Sequence, residues 1–240
     1  AASDVYKRQM VYGIIRLINF AHGDFIMVGG YTLYFTVPIL LHSMGLSAWT
    51  GVLAAIVICA LVGVVVELVA YRPVRRKGTS MSALITAIAM SLLLENLAQA
   101  IPAMGPNPRV ISDEIFSTAP ISIGGVSVNM AAVVTIIIAA IVMAALQLFV
   151  QKTKLGRAMR AVSENKEAST LVGINVNRTI VTTFAIGSGL AAVAALMYCA
   201  QYHTVTTTMG SMLGLKAFVA AVMGGIGLIP VSYTHLTLPT

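Results

Sequence analysis

The sequence predicts an all-α protein, a polytopic bundle of transmembrane helices. Hydrophobic residues make up 58% of the 240 residues, charged residues only 10%, and the mean hydropathy is +0.90. A water-soluble domain would carry about 25% charged residues. Ten of the fifteen basic residues lie in two segments, 72–77 and 152–178. Because Lys and Arg near the ends of spans stay in the cytoplasm, both segments are predicted to be cytoplasmic, and the basic balance does not indicate nucleic-acid binding.

Apolar runs long enough to cross a bilayer, about 20 residues, predict about six spans and one partial N-terminal span. The partial span is residues 10–18, and the others are 25–41, 49–69, 83–101, 129–150, 179–198 and 215–229. The connections that are poor in Lys and Arg are expected outside, and they are 42–48, 102–128 and 200–214. Cys59 and Cys199 lie in separate apolar runs, so they are predicted to be core residues and not a disulfide.

The two ends of the chain, residues 1–9 and 231–240, share no pattern with the apolar sequence between them. We interpret both as non-native tails and expect the chain to be truncated at both ends. The membrane domain is therefore expected to occupy residues 10–230.

The longest polar stretch, residues 152–178, carries six basic and two acidic residues between two spans. Residues 156–162 and 165–172 each have the pattern of a short helix, and the helices are separated by a break near Ser163. This stretch is therefore predicted to be a folded cytoplasmic loop.

The second of these helices is predicted to be capped at both ends, by Asn165 at its start and by Gly173 after its end. Glu167 lies in its first turn, where the helix dipole favours a carboxylate. One face is apolar, because residues three and four apart are neighbours on a helix, and it consists of Ala168, Leu171 and Val172. A short amphipathic helix needs a surface that covers this face, so it is expected to lie on the lipid or to dock on a soluble partner.

The sequence NFAHGD, residues 19–24, is a polar interruption between apolar runs. Polar groups at membrane depth are tolerated where they face protein or a water-filled cavity. One interpretation is a broken helix that lines a translocation pathway, with Asn19, His22 and Asp24 facing the cavity. The other is a helix connection at the cytoplasmic interface, with Gly23 as a hinge and Asp24 as the N-cap of the next span. The spacing of these residues does not predict a metal site.

Two further carboxylates, Glu67 and Glu95, lie well within apolar runs. Glu67 is about one turn from the first basic segment, and it is expected to reach toward Arg72 or Arg75. Glu95 is deeper in its run and is followed by Asn96, so it can line a polar cavity or hydrogen-bond to another helix. A proton relay is the alternative for Glu95, although it would rest on one isolated carboxylate.

Several catalytic motifs are missing from the sequence. There is no phosphate-binding G-x-x-x-x-G-K-[ST] loop, no zinc-protease H-E-x-x-H and no G-x-S-x-G nucleophile motif. The chain is therefore predicted to be a conduit or a scaffold and not an enzyme, with no cofactor or metal of its own.

Four separated stretches carry a resemblance to a known family. They are YGIIRLINFAHGDFIMVGGY at 12–31, VAYRPVRRKGTSMSALITAIAMSLLLEN at 69–96, GRAMRAVSENKEASTLVGINVNR at 156–178 and GLKAFVAAVMGGIGLIP at 214–230. In this order, and over essentially residues 10–230, the sequence resembles bacterial branched-chain amino acid ABC transporter permeases. Ribose-type sugar permeases have a similar last segment but are expected to differ in the early motif.

The resemblance implies an importer subunit of the bacterial inner membrane that works with other proteins. These are a second permease subunit, two cytoplasmic ATPase subunits that hold ATP and Mg, and a periplasmic or lipid-anchored substrate-binding protein. Residues 152–178 then correspond to the loop that couples permease to ATPase, and the residues implied in coupling are Gly156, Arg160, Glu164, Glu167, Ala168, Leu171, Val172 and Gly173. The residues expected to line the substrate pathway are Asn19, His22, Gly23, Asp24, Glu95 and Asn96.

Other functions stay open on the residues alone. A related importer could carry urea, short amides or sugars, since one permease sequence contains no code for its substrate. An ion-coupled secondary transporter would need coupling carboxylates and inverted repeats, of which only Glu95 gives any indication. A non-transporting membrane scaffold would use the polar residues for packing alone.

Overall fold

The fold is a bundle of α-helices, as the sequence predicts, with short strands in its connections. The computed structural model describes residues 21–40, 45, 48–77, 80–111, 121–123, 126–128 and 130–223. In chain order the elements are α1 (His22–Pro38), α2 (Ala48–Val66), a π-helical turn (Glu67–Tyr71), α3 (Arg72–Lys77), α4 (Ser80–Ala100), β1 (Arg109–Val110), β2 (Ile121–Ile123), β3 (Val126–Val128), α5 (Met130–Lys152), α6 (Lys154–Glu164), α7 (Lys166–Leu171), α8 (Val176–Tyr202), β4 (Thr204–Val205) and α9 (Met209–Met223).

Four helices within the described residues are long and apolar enough to cross a membrane. They are Trp49–Arg76, Met81–Ala100, Met130–Lys152 and Val176–Tyr202, and they match four of the predicted spans. The predicted spans 25–41 and 215–229 overlap α1 and α9, which are shorter helices. The predicted partial span and both predicted tails lie outside the described residues. The protein is therefore a polytopic membrane protein of the all-α class.

Two predicted boundaries are wrong. The helix of the predicted span 49–69 does not end at 69, because the helix that starts at Ala48 continues through the π-helical turn into α3, which contains the first basic segment, 72–77. The Arg72 N–H bonds to the Glu67 carbonyl there, and Pro73, which has no N–H to donate, follows directly. The last helix begins at Met209, well before the predicted start at 215, because its first turn packs against α1.

The core of the bundle is formed by α1, α2 and α8, which pack against one another, while α9 packs on α1. Small residues allow the close approach of α1 and α8: a Cβ atom added to Gly29 would lie 3.0 Å from Ala192 Cα and 3.0 Å from Ala195 Cβ. The Cys59 thiol points to the Phe25 carbonyl, with Sγ and O 3.6 Å apart. Cys59 and Cys199 are both buried free thiols, which confirms the prediction that they are core residues.

Contacts at the two ends of the bundle agree with the predicted topology. At one end β1 pairs antiparallel with β4, with Arg109 opposite Val205, so the connections predicted to lie outside meet each other. At the other end Arg75 donates a hydrogen bond to Asn177, and this joins the two basic segments that are predicted to be cytoplasmic. The charge pattern of the sequence therefore sorted these connections onto the correct sides relative to one another.

The outer helices differ from the core helices in burial. Ala131 is the one buried residue of α5, and most side chains of α4 are exposed. Helices that are apolar on every side need lipid or further helices around them. The exposed faces of α4 and α5 are thus of the kind that a bilayer or another membrane subunit covers.

Candidate functional site

The short helix α7 presents apolar side chains to solvent. Leu171 is 89% exposed and Val172 is 74% exposed, and Ala168 is exposed on the same helix. Another residue of this helix, Ser169, is buried. An exposed leucine and valine side by side on a charged segment form a small hydrophobic contact point with nothing from the described part of the chain covering it.

The ends of α7 are fixed by the caps that the sequence predicts. The Asn165 side chain accepts a hydrogen bond from the Ala168 N–H at 3.0 Å. Gly173 has a φ of +82°, its N–H donates to the Thr170 carbonyl, and the Ile174 N–H donates to the Ser169 carbonyl. These two hydrogen bonds, around a residue in the left-handed conformation, form a Schellman motif. A six-residue helix is too short to be stable by itself, so the caps hold its exposed face in a defined position.

The preceding helix, α6, folds back sharply from the end of α5. The Thr153 hydroxyl accepts a hydrogen bond from the Gly156 N–H at 2.9 Å and caps α6. A Cβ atom on Gly156 would overlap backbone atoms of Phe149 and Val150, so the corner needs a glycine. Gly156 is therefore buried in the corner, whereas the other residues predicted for coupling are exposed, namely Arg160, Glu164, Glu167, Ala168, Leu171, Val172 and Gly173.

The polar motif at the start of α1 is partly described, because Asn19 lies outside the described residues. The interpretation in which Asp24 is a helix N-cap is wrong: the N-cap is Ala21, and Asp24 lies in the first turn of α1. Gly23 is buried where α1 crosses α9, and His22 is exposed. His22 lies beside Gly187, since a Cβ atom on Gly187 would be 3.7 Å from His22 Cε1.

The depth of this motif follows from the position of Gly187 in α8. At 1.5 Å per residue, Gly187 lies about 16 Å from the first residue of α8, Val176, and about 22 Å from its last, Tyr202. The start of α1 is thus near the middle of a membrane-spanning helix and not at its cytoplasmic end. This position favours the first interpretation of the motif, a helix that starts within the membrane.

Two of the predicted pathway residues, Asp24 and Glu95, lie on helices that are in contact, α1 and α4. Asp24 is 1% exposed, and Ser91 of α4 lies near its carboxylate. Glu95 is one turn from Ser91 and close enough for its charge to act on Asp24. Asn96 points away from this group, is exposed, and donates to the Leu92 carbonyl of its own helix at 2.7 Å. The described residues contain no group of three His, Cys, Asp or Glu side chains that could hold a metal ion.

A second buried carboxylate, Glu67, belongs to an ion pair. Arg75 Nη2 lies 2.7 Å from Glu67 Oε1, and Glu67 is completely buried while 14% of the Arg75 side chain is exposed. The prediction that Glu67 reaches Arg72 or Arg75 is therefore confirmed for Arg75. The same Arg75 nitrogen donates to Asn177 Oδ1 at 3.4 Å, and Asn177 lies in the first turn of α8, within the polar stretch 152–178.

These features define a class of protein. Long apolar helices surround buried carboxylates, and a rigid, capped helix projects an apolar surface from the end of the bundle that carries the basic segments. Such an arrangement is typical of a multi-pass membrane permease.

Comparison with known proteins gives the family. The family model described as "Branched-chain amino acid transport system / permease component" matches residues 9–234, so the chain belongs to this family. It is a transport subunit and not an enzyme, and it is located in the bacterial inner membrane.

Three relatives illustrate the range of the similarity. The high-affinity branched-chain amino acid transport system permease protein BraD of Pseudomonas aeruginosa is 39% identical over 233 residues, which cover 92% of this chain and 73% of BraD. The corresponding protein LivH of Escherichia coli is 39% identical over 234 residues, with the same coverage of 92% and 73%. The autoinducer 2 import system permease protein LsrC of Klebsiella pneumoniae is 40% identical over 78 residues, or 32% of this chain and 23% of LsrC. No solved structure matches.

Two features of the site were missed by reasoning from the sequence. The first is Ser91, which had no distinguishing signal because a serine in an apolar helix usually bonds its own backbone. The second is the crossing of α1 with α9 at Gly23, Gly210 and Gly214. Its signal was present in the sequence, because Gly210 and Gly214 have the small-x-x-x-small spacing of close membrane-helix contacts.

Proposed function

We propose that this chain is the membrane permease subunit of an ATP-driven importer of branched-chain amino acids. Its partners are a second permease subunit, two cytoplasmic ATPase subunits and a periplasmic or lipid-anchored binding protein. The chain itself binds no ATP or metal, and about six spans with a partial N-terminal span carry it through the membrane. Membership of the family and the names of BraD and LivH support the substrate class.

The observation that carries the coupling part of this proposal is the exposed apolar surface of α7. Leu171 and Val172 are the most exposed apolar side chains of the segment, and both helix caps hold them in place. Exposing such side chains has a free-energy cost in water, which contact with a partner removes. The soluble partner of an importer permease at this position is the ATPase, which receives α7 in a groove on its surface.

The coupling segment is connected to the interior of the bundle. α6 packs against α8, and Asn177 at the start of α8 is bonded to Arg75, which is paired with the buried Glu67. A shift of α6 and α7 driven by ATP is therefore passed to α8 and α2. These two helices pack with α1, whose first turn carries His22, Gly23 and Asp24. Alternating access to a pathway lined by this turn and by Glu95 follows from such a shift.

The proposal is tested by replacing Leu171 with aspartate in the complete transporter. Leu171→Asp places a charge in the contact and should abolish co-purification of the ATPase while leaving the permease pair in the membrane. Ser163→Asp is the matched control, because Ser163 is exposed in the same segment and its hydroxyl donates to the Arg160 carbonyl, away from the apolar face. Unchanged recovery of the ATPase with Leu171→Asp, or equal loss with both variants, would count against docking through α7.

A further inference from the structure

One carboxylate inside the bundle, Asp24, has no partner for its charge among the described residues. Asp24 is 1% exposed, its Oδ2 atom has no hydrogen-bond partner among the described residues, and Ser91 of α4 lies near the group. Neither Asp24 nor Glu95 forms an ion pair within the described part of the chain, in contrast to Glu67 with Arg75. An anionic side chain in a low-dielectric interior is stable only when a cation or several donors compensate it.

The two carboxylates lie on different helices, α1 and α4, which are in contact. Asp24 is in the first turn of α1, and Ser91 and Glu95 are four residues apart on α4, so they share the face that is turned to Asp24. His22, two residues before Asp24, lies beside Gly187, so the start of α1 is near the middle of α8. Ionisable groups at mid-membrane depth that face the protein interior mark substrate or ion pathways more often than structural contacts.

We propose that Asp24 and Glu95 bind the ammonium group of the transported amino acid, an inference that rests on the proposed function. A primary ammonium carries one positive charge and three donors. These suit the Glu95 carboxylate and the Asp24 oxygen that has no partner among the described residues. The group is common to leucine, isoleucine and valine, so it can be recognised whatever the side chain. α4 is mostly exposed and packs much less extensively on α1 than α8 does, which allows α1 and α4 to separate and admit the ligand.

The test measures binding of tritiated leucine to the assembled transporter, without its binding protein, in lipid nanodiscs. Isoamylamine has the ammonium group and no carboxylate, whereas isocaproate has the carboxylate and no ammonium group. We expect isoamylamine to displace leucine from the wild-type complex and isocaproate to fail. Asp24→Asn and Glu95→Gln should each weaken leucine binding by about tenfold or more, the effect of losing a charged hydrogen bond.

Matched controls lie on the same two helices. Thr32→Val on α1 and Thr86→Val on α4 each remove a hydroxyl that bonds its own helix backbone at 2.7 Å, and both should bind leucine as the wild type does. Co-purification of the ATPase shows which variants assemble, and if Asp24→Asn does not assemble, Glu95→Gln provides the test. The inference is overturned if assembled variants keep wild-type affinity, or if isocaproate competes as well as isoamylamine. Failure of the wild-type transporter to import branched-chain amino acids would instead overturn the proposed function.

Discussion

Gly23 and Gly210 meet backbone to backbone where the first turn of α1 crosses the first turn of α9. A Cβ atom added to either glycine would overlap the carbonyl oxygen of the other. Gly214 continues the contact one turn further along α9, since its Cβ would lie 3.1 Å from Gly23 Cα. This crossing places α9 directly against the polar motif of α1 and therefore fixes one wall of the region around Asp24.

The crossing predicts a steric penalty for the smallest possible side chain. Gly210→Ala should lower the stability of the purified protein by about 1–3 kcal/mol, because rigid backbone atoms cannot move aside for the methyl group. The measurement is the midpoint of thermal unfolding in detergent. Gly189→Ala is the control, since its Cβ would make only an ordinary contact, 3.6 Å from Ile56 Cγ2. Equal midpoints for the two variants would show that α1 and α9 are not in backbone contact.

The buried ion pair of Glu67 and Arg75 predicts strong coupling between two substitutions. Arg75→Gln leaves a completely buried carboxylate without its cation, and the expected loss of stability is about 3–5 kcal/mol. The double variant Glu67→Gln, Arg75→Gln removes both charges and should be more stable than Arg75→Gln alone. Thermal unfolding of the wild type, both single variants and the double variant measures this coupling. Losses that simply add would contradict an energetic link between the two side chains.

Loss of the N-cap of α7 is expected to destabilise this helix and to leave the rest of the bundle nearly unchanged. Asn165→Ala removes the acceptor of the Ala168 N–H and should destabilise α7 by about 1 kcal/mol. Hydrogen exchange of the amides of residues 168–172 should become faster, while exchange in α8 stays the same. Ser163→Ala is the control, because its hydroxyl bonds the Arg160 carbonyl and caps nothing. Unchanged exchange in α7 after Asn165→Ala would mean that other contacts hold the helix.

Because Gly173 has a left-handed backbone conformation, the effect of replacing it is expected to depend on which residue takes its place. Gly173→Asn should be tolerated, since asparagine adopts this conformation more readily than other residues with a side chain, whereas Gly173→Val should disrupt the end of α7. A Cβ atom at Gly173 meets no other atom within 4 Å, so the difference is one of backbone conformation and not of crowding. The difference between the two variants is measured as the amount of ATPase that co-purifies with each. Equal recovery with asparagine and valine would remove the argument for a fixed α7 ending.

Local signals predicted the structure of the polar stretch 152–178 well. Both caps of α7, the break before it and its apolar face depend on residues within ten positions of one another, and the structure has each of them. Charge also sorted the connections correctly, because the positive-inside rule acts on each loop separately. The positions of the spans could also be predicted, because the hydropathy of each span depends only on its own residues.

Contacts between distant segments could not be predicted from the sequence. The start of α9 was placed too late, because Thr206, Thr207 and Thr208 weaken the apolar signal while the glycine crossing with α1 decides where the helix begins. The proximity of Asp24 to Ser91 and Glu95 depends on how α1 and α4 pack, which no periodicity within either helix indicates. The choice between Arg72 and Arg75 for Glu67 likewise depends on the π-helical turn, which changes the phase of the helix at that point.

The most direct test of the central claim is uptake of radiolabelled leucine by proteoliposomes that contain the complete transporter. With ATP enclosed and the loaded binding protein outside, the account predicts accumulation of leucine that stops when ATP, the ATPase subunits or the apolar residue Leu171 is removed. Accumulation by this chain without any ATPase, driven by an ion gradient, would contradict the account and identify a secondary transporter instead.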